Sequence, residues 1–220
     1  MKTGVALPKQ CFVNNRNIHE YDYKDLITQL ITDIPDLKKE TLIFPMSSLA
    51  KKIIDEKHQL LKKREYPTAI KATSVSVLHG DRVYNAAIAG SIFDVDIGAL
   101  LLEAKFYQKQ FGTNDESLKI IADRLNISFD DFILNLTIVT TSVVQSEDSF
   151  MQFFSMLKKQ YKAKRGLLVV PISAIPLCMF VQRQILNMCY NEASRVLAAQ
   201  HKRLSTKMMI TLAAGENGTE

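Results

Sequence analysis

The spacing of apolar residues in the last third of this chain constrains its fold more than any other feature. From about Ile175 to Leu204 the apolar side chains recur every three or four residues, which is the period of an α-helix. They form one stripe, consisting of Val181, Ile185, Met188, Cys189, Val196 and Leu197. Such a stripe has to be buried against other elements. The sequence therefore predicts a long C-terminal helix that packs on the rest of the protein.

Helical spacing and helix-boundary residues predict further helices along the chain. They are expected over residues 21–34, 47–66, 91–111 and 115–125, from residue 128 onward, and over 146–165. Pro35 ends the first of them because proline has no amide hydrogen, and Gly112 closes the helix that starts near Ser91. Between residues 134 and 144 helix and strand both stay open, because the run from Thr137 to Val144 is mostly β-branched.

Residues 70–88 depart from the helical pattern. Ile70 to Leu78 is rich in threonine, serine and valine in near alternation, and His79-Gly80-Asp81 supplies turn residues before the next short apolar run. This pattern predicts a small β-hairpin. The expected fold class is therefore mainly α (α-rich α+β): a helical bundle-like domain with a β-hairpin around residues 70–88 and a long C-terminal helix.

The clearest shift in composition lies near Ser146 and suggests a division into two regions. Residues 1–145 would form a region of helices with the hairpin and an acidic middle, and residues 146–214 a basic helical region packed on it. The alternative is one single domain. Leu167 to Val170 is a candidate buried strand, and residues 215–220 are a polar tail.

Composition narrows the class and compartment of the protein. With 8 glycines and 6 prolines in 220 residues, collagen-like and low-complexity chains are excluded. The three cysteines (Cys11, Cys178 and Cys189) are too few for a disulfide scaffold and fit free thiols in a reducing, cytoplasmic compartment. The start of the chain lacks an apolar stretch of signal-peptide length. The apolar run Leu167–Val181 falls short of the roughly 20 residues that a membrane span needs, so no integral membrane segment is expected.

Charge is distributed unevenly along the sequence. Residues 1–66 carry 12 basic and 9 acidic side chains, residues 67–145 carry 6 and 9, and residues 146–220 carry 10 and 5, giving net charges of +3, −3 and +5. Between Ser149 and Gly215 all ten of these basic residues accompany a single acid, Glu192. Solvated surface usually mixes the two signs, so the basic excess points to a binding face.

The basic residues of the last third predict contacts with an acidic partner. In the final helix Arg183, Asn187 and Arg195 lie along roughly one ridge, and the preceding helix combines lysines with aromatic side chains. Such a face suits the phosphates and bases of RNA or single-stranded DNA, with Tyr161 as a stacking platform. The candidate nucleic-acid- or partner-binding residues are Lys158, Lys159, Tyr161, Lys162, Lys164, Arg165, Arg183, Asn187, Arg195, Lys202, Arg203 and Lys207.

Two other motifs favour different functions. Ser117 to Leu136 has the outline of a helix-turn-helix, but Asp130 and Asp131 stand where a DNA reader meets phosphates, so a helical hairpin in the core is the better interpretation.

Asp94 and Asp96, joined by His79, Asp81 or Asp123, would form a metal-dependent nuclease site if residues 92–97 were a strand. If a helix begins at Ser91 instead, Asp94 belongs to its first turn.

These observations favour a non-enzymatic nucleic-acid-binding protein. The first alternative is an adaptor or assembly subunit that binds an acidic protein through the same face, and the second is the nuclease. Catalytic residues, metal ligands and cofactors are not expected: the four histidines lack ligand spacing, and Gly80, Gly90 and Gly98 lie too far apart to cradle a phosphate. The acidic middle of one copy could meet the basic end of the next, giving head-to-tail homo-oligomers.

Overall fold

In a computed structural model of the protein, every regular element of the described residues is a helix. Those residues are 22–46, 48, 50–78, 95–165 and 174–216; side chains are described for most of them, but not for 23–24, 36–37, 74–78, 164–165 or 204–216. The helices are α1 (Tyr23–Asp33), α2 (Asp36–Ile43), α3 (Lys51–Lys62), α4 (Glu65–Leu78), α5 (Ile97–Phe111), α6 (Asp115–Arg124), α7 (Phe129–Asn135), α8 (Thr140–Val143), α9 (Glu147–Arg165) and α10 (Ala174–Glu216). No helix in these ranges is long and apolar enough to cross a membrane.

The chain separates into two compact units. The first, Met1–Met46, contains α1 and α2, whose buried side chains include Ile27, Ile31 and Ile43. The second, Ser47–Glu220, contains the remaining helices. The division expected at residues 145 and 146 stays a prediction.

Helix α10 is the centre of the second unit. It packs against α3, α4 and α5, and also contacts α8 and α9. The apolar stripe predicted from the sequence faces these neighbours: Val181, Ile185 and Cys189 are fully buried, and Val196 and Leu197 nearly so. Each such side chain contributes about 1.5–3 kcal/mol by leaving water. The long C-terminal helix is thus confirmed, and it runs to Glu216 rather than ending near Leu204.

The predicted β-hairpin is wrong for the described part of its range. Residues 70–78 belong to α4, with Pro67 in the first turn where a missing amide hydrogen is tolerated. Ala69 and Ala72 are completely buried in this helix, which packs against α5 and α10. Strand propensity is a weak local preference, and here burial of the small alanine face overrides it. Residues 79–88 lie outside the described residues, as does the strand proposed at 167–170.

Three helices in succession end in a left-handed residue. Gly112, Asn126 and Thr137 have φ angles of 70°, 52° and 52° and follow α5, α6 and α7. Gly112 closes its helix as predicted. Glycine and asparagine adopt this conformation readily, whereas in the β-branched Thr137 it costs about 1–2 kcal/mol. The strain is located directly before α8.

Helices α6 and α7 form the helical hairpin that the sequence suggested. Leu118, Ala122 and Phe132 pack with Val196 of α10 in a small apolar core. Ser128 caps α7 by accepting the amide hydrogen of Asp131, as predicted. The stretch left open as helix or strand becomes the end of α7, a turn and the short helix α8.

Candidate functional site

Two predicted phosphate ligands of α10 contact helix ends within the same chain. Arg195 Nη2 donates a hydrogen bond to the carbonyl oxygen of Thr137 at 2.9 Å, directly after α7. Arg203 Nη1 donates to the carbonyl oxygen of Leu125, the residue that ends α6. The C-terminal end of a helix carries partial negative charge and unpaired carbonyl groups. Both guanidinium groups are therefore placed where they stabilise α6 and α7.

Glu192, the single acid between Ser149 and Gly215, contacts the N-terminal end of a helix. Glu192 is only 2% exposed. Its carboxylate accepts hydrogen bonds from the amides of Val139 and Thr140 at 2.8 and 3.0 Å, and from the Thr140 hydroxyl. These amides stand at the N-terminal end of α8, where negative charge is favoured. Gln108 Nε2 donates to Thr140 Oγ1 at 3.0 Å, so the threonine hydroxyl is satisfied on both sides.

Together, Glu192, Arg195 and Arg203 form a set that we call the helix-end clamp of α10. The carboxylate of Glu192 contacts the N-terminal end of α8. The guanidinium groups of Arg195 and Arg203 contact the C-terminal ends of α7 and α6. The signal for Glu192 is present in the sequence, since it lies on the apolar stripe between Cys189 and Val196. An acid at such a position must find hydrogen-bond donors in the interior.

Arg183, the first basic residue of the predicted ridge, pairs with Glu65 at the start of α4. Its Nε and Nη2 atoms lie 3.0 and 2.6 Å from Glu65 Oε2. The Glu65 side chain is almost fully buried, whereas that of Arg183 is about half exposed. This hydrogen bond raises the pKa of Arg183 above its ordinary value. Asn187, next on the ridge, accepts a hydrogen bond at its Oδ1 from His58 Nε2 at 2.9 Å.

The predicted residues of α9 are arranged differently. Lys159 and Lys162 are exposed, and Lys158 is partly buried. Tyr161 is buried, with its ring centroid 5.2 Å from that of Phe180, which is not the environment of a stacking platform. Lys202 of α10 is exposed. The side chains of Lys164, Arg165 and Lys207 lie outside those described.

A buried lysine on α3 was missed by the sequence analysis. Lys57 is 2% exposed, and its Nζ donates to the carbonyl oxygen of Gln110 at 2.6 Å. Burial lowers the pKa of Lys57 from 10.5 to about 8. In the sequence Lys57 lies three residues after Ile54 and three before Leu60, on the apolar stripe of the helix, so helical spacing could have identified it as a buried lysine.

We expect the stability of the protein relative to a Lys57→Met variant to rise with pH between 8 and 10.5. Below pH 8 the lysine is charged in both states, and the folded state bears the cost of burying the charge. Between about pH 8 and 10.5 only the unfolded state holds the proton, and the folded state contains a neutral amine. The free energy of unfolding relative to the variant therefore rises by about 2–3 kcal/mol. Urea unfolding of both proteins at pH 7 and pH 10 measures this. A constant difference between the two proteins would contradict the shifted pKa.

The acidic pair considered as a metal site is only partly described. Asp96 caps α5, with its Oδ1 accepting from the amide of Ala99 at 2.9 Å. Asp94, His79 and Asp81 lie outside the described residues. Among the residues that the structure describes, no group of three or more histidine, cysteine, aspartate or glutamate side chains is placed to hold a metal ion.

Comparison with known proteins identifies relatives among mouse proteins. The chain is 22% identical to "Interferon-inducible GTPase 1" of Mus musculus over 196 residues, which cover 89% of this chain and 46% of that protein. It is 26% identical to "T-cell-specific guanine nucleotide triphosphate-binding protein 2" of Mus musculus over 190 residues, which cover 86% and 44%. The chain thus spans about half the length of the curated relatives it matches.

The family comparison overturns the function inferred from charge. Residues 1–200 match the model of the family described as "Interferon-inducible GTPase (IIGP)". The interpretations as an RNA- or single-stranded-DNA-binding protein and as a metal-dependent nuclease are therefore wrong. The nucleic-acid interpretation failed because four of the polar and charged groups read as an open face, at Arg183, Asn187, Arg195 and Arg203, contact the chain itself. Since the match covers most of its length, the chain belongs to the interferon-inducible GTPase family.

Proposed function

We propose that this chain is a helical module of a guanine-nucleotide-dependent protein, and that the nucleotide itself is held by residues other than these helices. The observation that carries the first part is the family match over residues 1–200. The relatives are named as a GTPase and as a guanine nucleotide triphosphate-binding protein. GTP hydrolysis by the whole protein is part of the proposal.

The helix N-termini support the second part. Phosphate groups commonly bind at such ends, where unpaired amides and the helix dipole favour negative charge. Here the chain supplies its own carboxylates at several of them: α6, α7 and α9 each have two acidic residues in the first turn, Asp96 caps α5, and Glu192 occupies the start of α8. A phosphate at these ends would be repelled. The wide spacing of the glycines in the sequence agrees with this.

The contacts of α10 support a mechanical role. This helix has 43 residues and is about 65 Å long, and it contacts α3, α4, α5, α8 and α9. The helix-end clamp and the pair of Arg183 with Glu65 fix neighbouring helices to it by oriented, charge-assisted hydrogen bonds. A displacement of one end of α10 would therefore be transmitted to the helices that it contacts.

Titration of the 220-residue chain with fluorescent GTP and Mg²⁺ tests the proposal. We expect no saturable binding up to about 100 μM nucleotide, because the helices lack a phosphate cradle. The mouse protein "Interferon-inducible GTPase 1" is the positive control. Saturable binding by this chain at micromolar concentration would show that its own residues form the nucleotide site.

The buried thiols support a reducing, intracellular location. Cys178 and Cys189 are free and completely buried. Burial raises the pKa of Cys178 to about 12 and that of Cys189 further, so neither is an active thiolate at neutral pH. Cys11 lies outside the described residues.

A further inference from the structure

An open cleft between α7 and α8 presents apolar side chains to solvent. Its volume is roughly 530 Å³, within the range of about 300–1,000 Å³ that is typical of ligand-binding clefts. Leu134 in its wall is 78% exposed, more than any other large apolar side chain in the described part of the chain, and Val139 is 43% exposed. Apolar side chains left this open on a concave surface are typical of sites that bind another molecule.

The surroundings of the cleft are acidic. Its described lining includes the exposed Asp115 and Asp130 and contains neither lysine nor arginine. Residues 115–148, which contribute this lining, carry seven acidic side chains and two basic ones, Lys119 and Arg124, a net charge of −5. Such a rim repels the phosphates of nucleic acids and of anionic lipids, and it attracts a partner with basic side chains.

Contacts with α10 hold the cleft in its open form. Arg195 Nη2 donates to the carbonyl oxygen of Thr137 at 2.9 Å, and Glu192 accepts from the amide of Val139 at 2.8 Å. Thr137 and Val139 both line the cleft. A surface fixed in this way loses little conformational freedom on binding, so less of the interaction energy is lost to ordering it.

An amphipathic helix with basic residues beside its apolar stripe matches the shape and the charge of the cleft. Helices of this kind bind in grooves through apolar side chains that recur every three or four residues. These side chains would lie against Leu134 and Val139, and the basic residues beside them would lie opposite Asp115 and Asp130.

We infer that the α7–α8 cleft binds an amphipathic basic helix of a different protein. The basic helix of this chain, α9, is a poorer occupant, because its aromatic side chains Phe150, Phe154 and Tyr161 are buried and are not available to fill a cleft. The contact uses no nucleotide, so it can succeed or fail independently of the proposed function.

Fluorescence anisotropy of a labelled peptide with the nucleotide-free 220-residue chain tests the inference. The probe is a leucine–lysine peptide of about 18 residues with leucines at helical spacing, and the comparison peptide has glutamate in place of each lysine. At about 50 mM salt we expect the lysine peptide to bind with a Kd of about 10–100 μM, and the glutamate peptide at least about tenfold more weakly. Equal binding of the two peptides, or no saturation by the lysine peptide up to about 500 μM, overturns the inference.

Leu134→Asp separates binding in the cleft from unspecific attraction between opposite charges. The change removes an apolar wall and adds a negative charge, so the lysine peptide should bind at least about tenfold more weakly if it lies in the cleft. Unspecific attraction predicts unchanged or tighter binding, and either result contradicts the inference. The matched control is Leu102→Asp on α5, where the side chain is 70% exposed outside the cleft, and its affinity should stay within about twofold.

Charge removal at the rim identifies the basic contacts. Asp115→Asn combined with Asp130→Asn should weaken binding of the lysine peptide at least about fivefold. Asp123→Asn combined with Asp148→Asn removes the same charge from exposed positions outside the lining and should weaken it less than about twofold, so equal losses would contradict the inference.

Circular dichroism establishes that each variant is folded, and sedimentation velocity at the assay concentration gives the mass of the chain. An oligomer that Leu134→Asp dissociates would assign the cleft to a second copy and overturn the inference.

Discussion

Glu192→Ala is expected to lower the free energy of unfolding by about 3 kcal/mol. The substitution leaves the amides of Val139 and Thr140 and the Thr140 hydroxyl without their acceptor, and Thr140 is completely buried. Each unpaired buried donor costs about 1–3 kcal/mol, although partial relaxation of α8 recovers some of it. Urea denaturation at pH 7, followed by circular dichroism, measures the loss.

Two substitutions separate the role of the carboxylate from that of the side-chain volume. Glu192→Gln keeps one oxygen for the amides but turns an NH₂ group toward Thr140, whose hydroxyl already accepts from Gln108, so a loss of about 1–2 kcal/mol is expected. Asp123→Asn makes the same chemical change at an exposed position of α6 and should alter stability by less than about 0.5 kcal/mol. An equal loss of stability in Glu192→Ala and Asp123→Asn would contradict the role of the hydrogen bonds that Glu192 accepts.

Arg183→Met is expected to lower the free energy of unfolding by about 2–3 kcal/mol. The loss exceeds that of an ordinary surface ion pair because Glu65 is almost fully buried and would lose its guanidinium partner. Both nitrogen atoms that contact Glu65 Oε2 are removed together. Chemical denaturation of the variant gives the value directly.

A double-mutant cycle shows whether this loss belongs to the pair. With Glu65→Met added, the buried charge disappears, and the double variant should be more stable than Arg183→Met alone by at least about 1 kcal/mol. Lys105→Met, at an exposed position of α5, is the control and should change stability by less than about 0.5 kcal/mol. Additive losses from the two single changes would mean that the side chains act independently.

Most helices of the described residues could be predicted from local sequence, and α4 shows where local patterns stop being sufficient. Apolar spacing located α1, α3 and α10, and the glycine at 112 and the serine at 128 marked helix boundaries. The threonine- and valine-rich end of α4 has the local preference of a strand. Its conformation depends instead on Ala69 and Ala72, whose small side chains are completely buried in a helix packed against α5 and α10. That contact joins segments far apart in sequence.

The functional interpretation failed for a related reason. Net charge along the sequence does not say which charges are already neutralised by the fold. In the sequence Arg195 and Arg203 resemble phosphate ligands, but in the structure they donate to carbonyl groups at the ends of α7 and α6. Glu192 accepts from the amides at the start of α8, a contact that only the structure shows. The spacing of Lys57 places it on the apolar stripe of α3, but its acceptor, the carbonyl oxygen of Gln110, lies 53 positions away and has no signal in the local sequence. The predicted partner contacts of the remaining basic residues stay predictions: Lys158, Lys159, Lys162, Lys164, Arg165, Lys202 and Lys207.

Amide hydrogen exchange tests most directly whether the charged groups of α10 serve helix ends of the same chain. In Glu192→Ala, which removes the acceptor of both amides, we expect the amides of Val139 and Thr140 to exchange at least about tenfold faster than in the unaltered protein, with the amides of α3 much less affected. Such a local loss of protection would place the action of the carboxylate at the start of α8. Unchanged exchange at these two amides, or the same acceleration in α3 as in α8, would contradict the helix-end clamp.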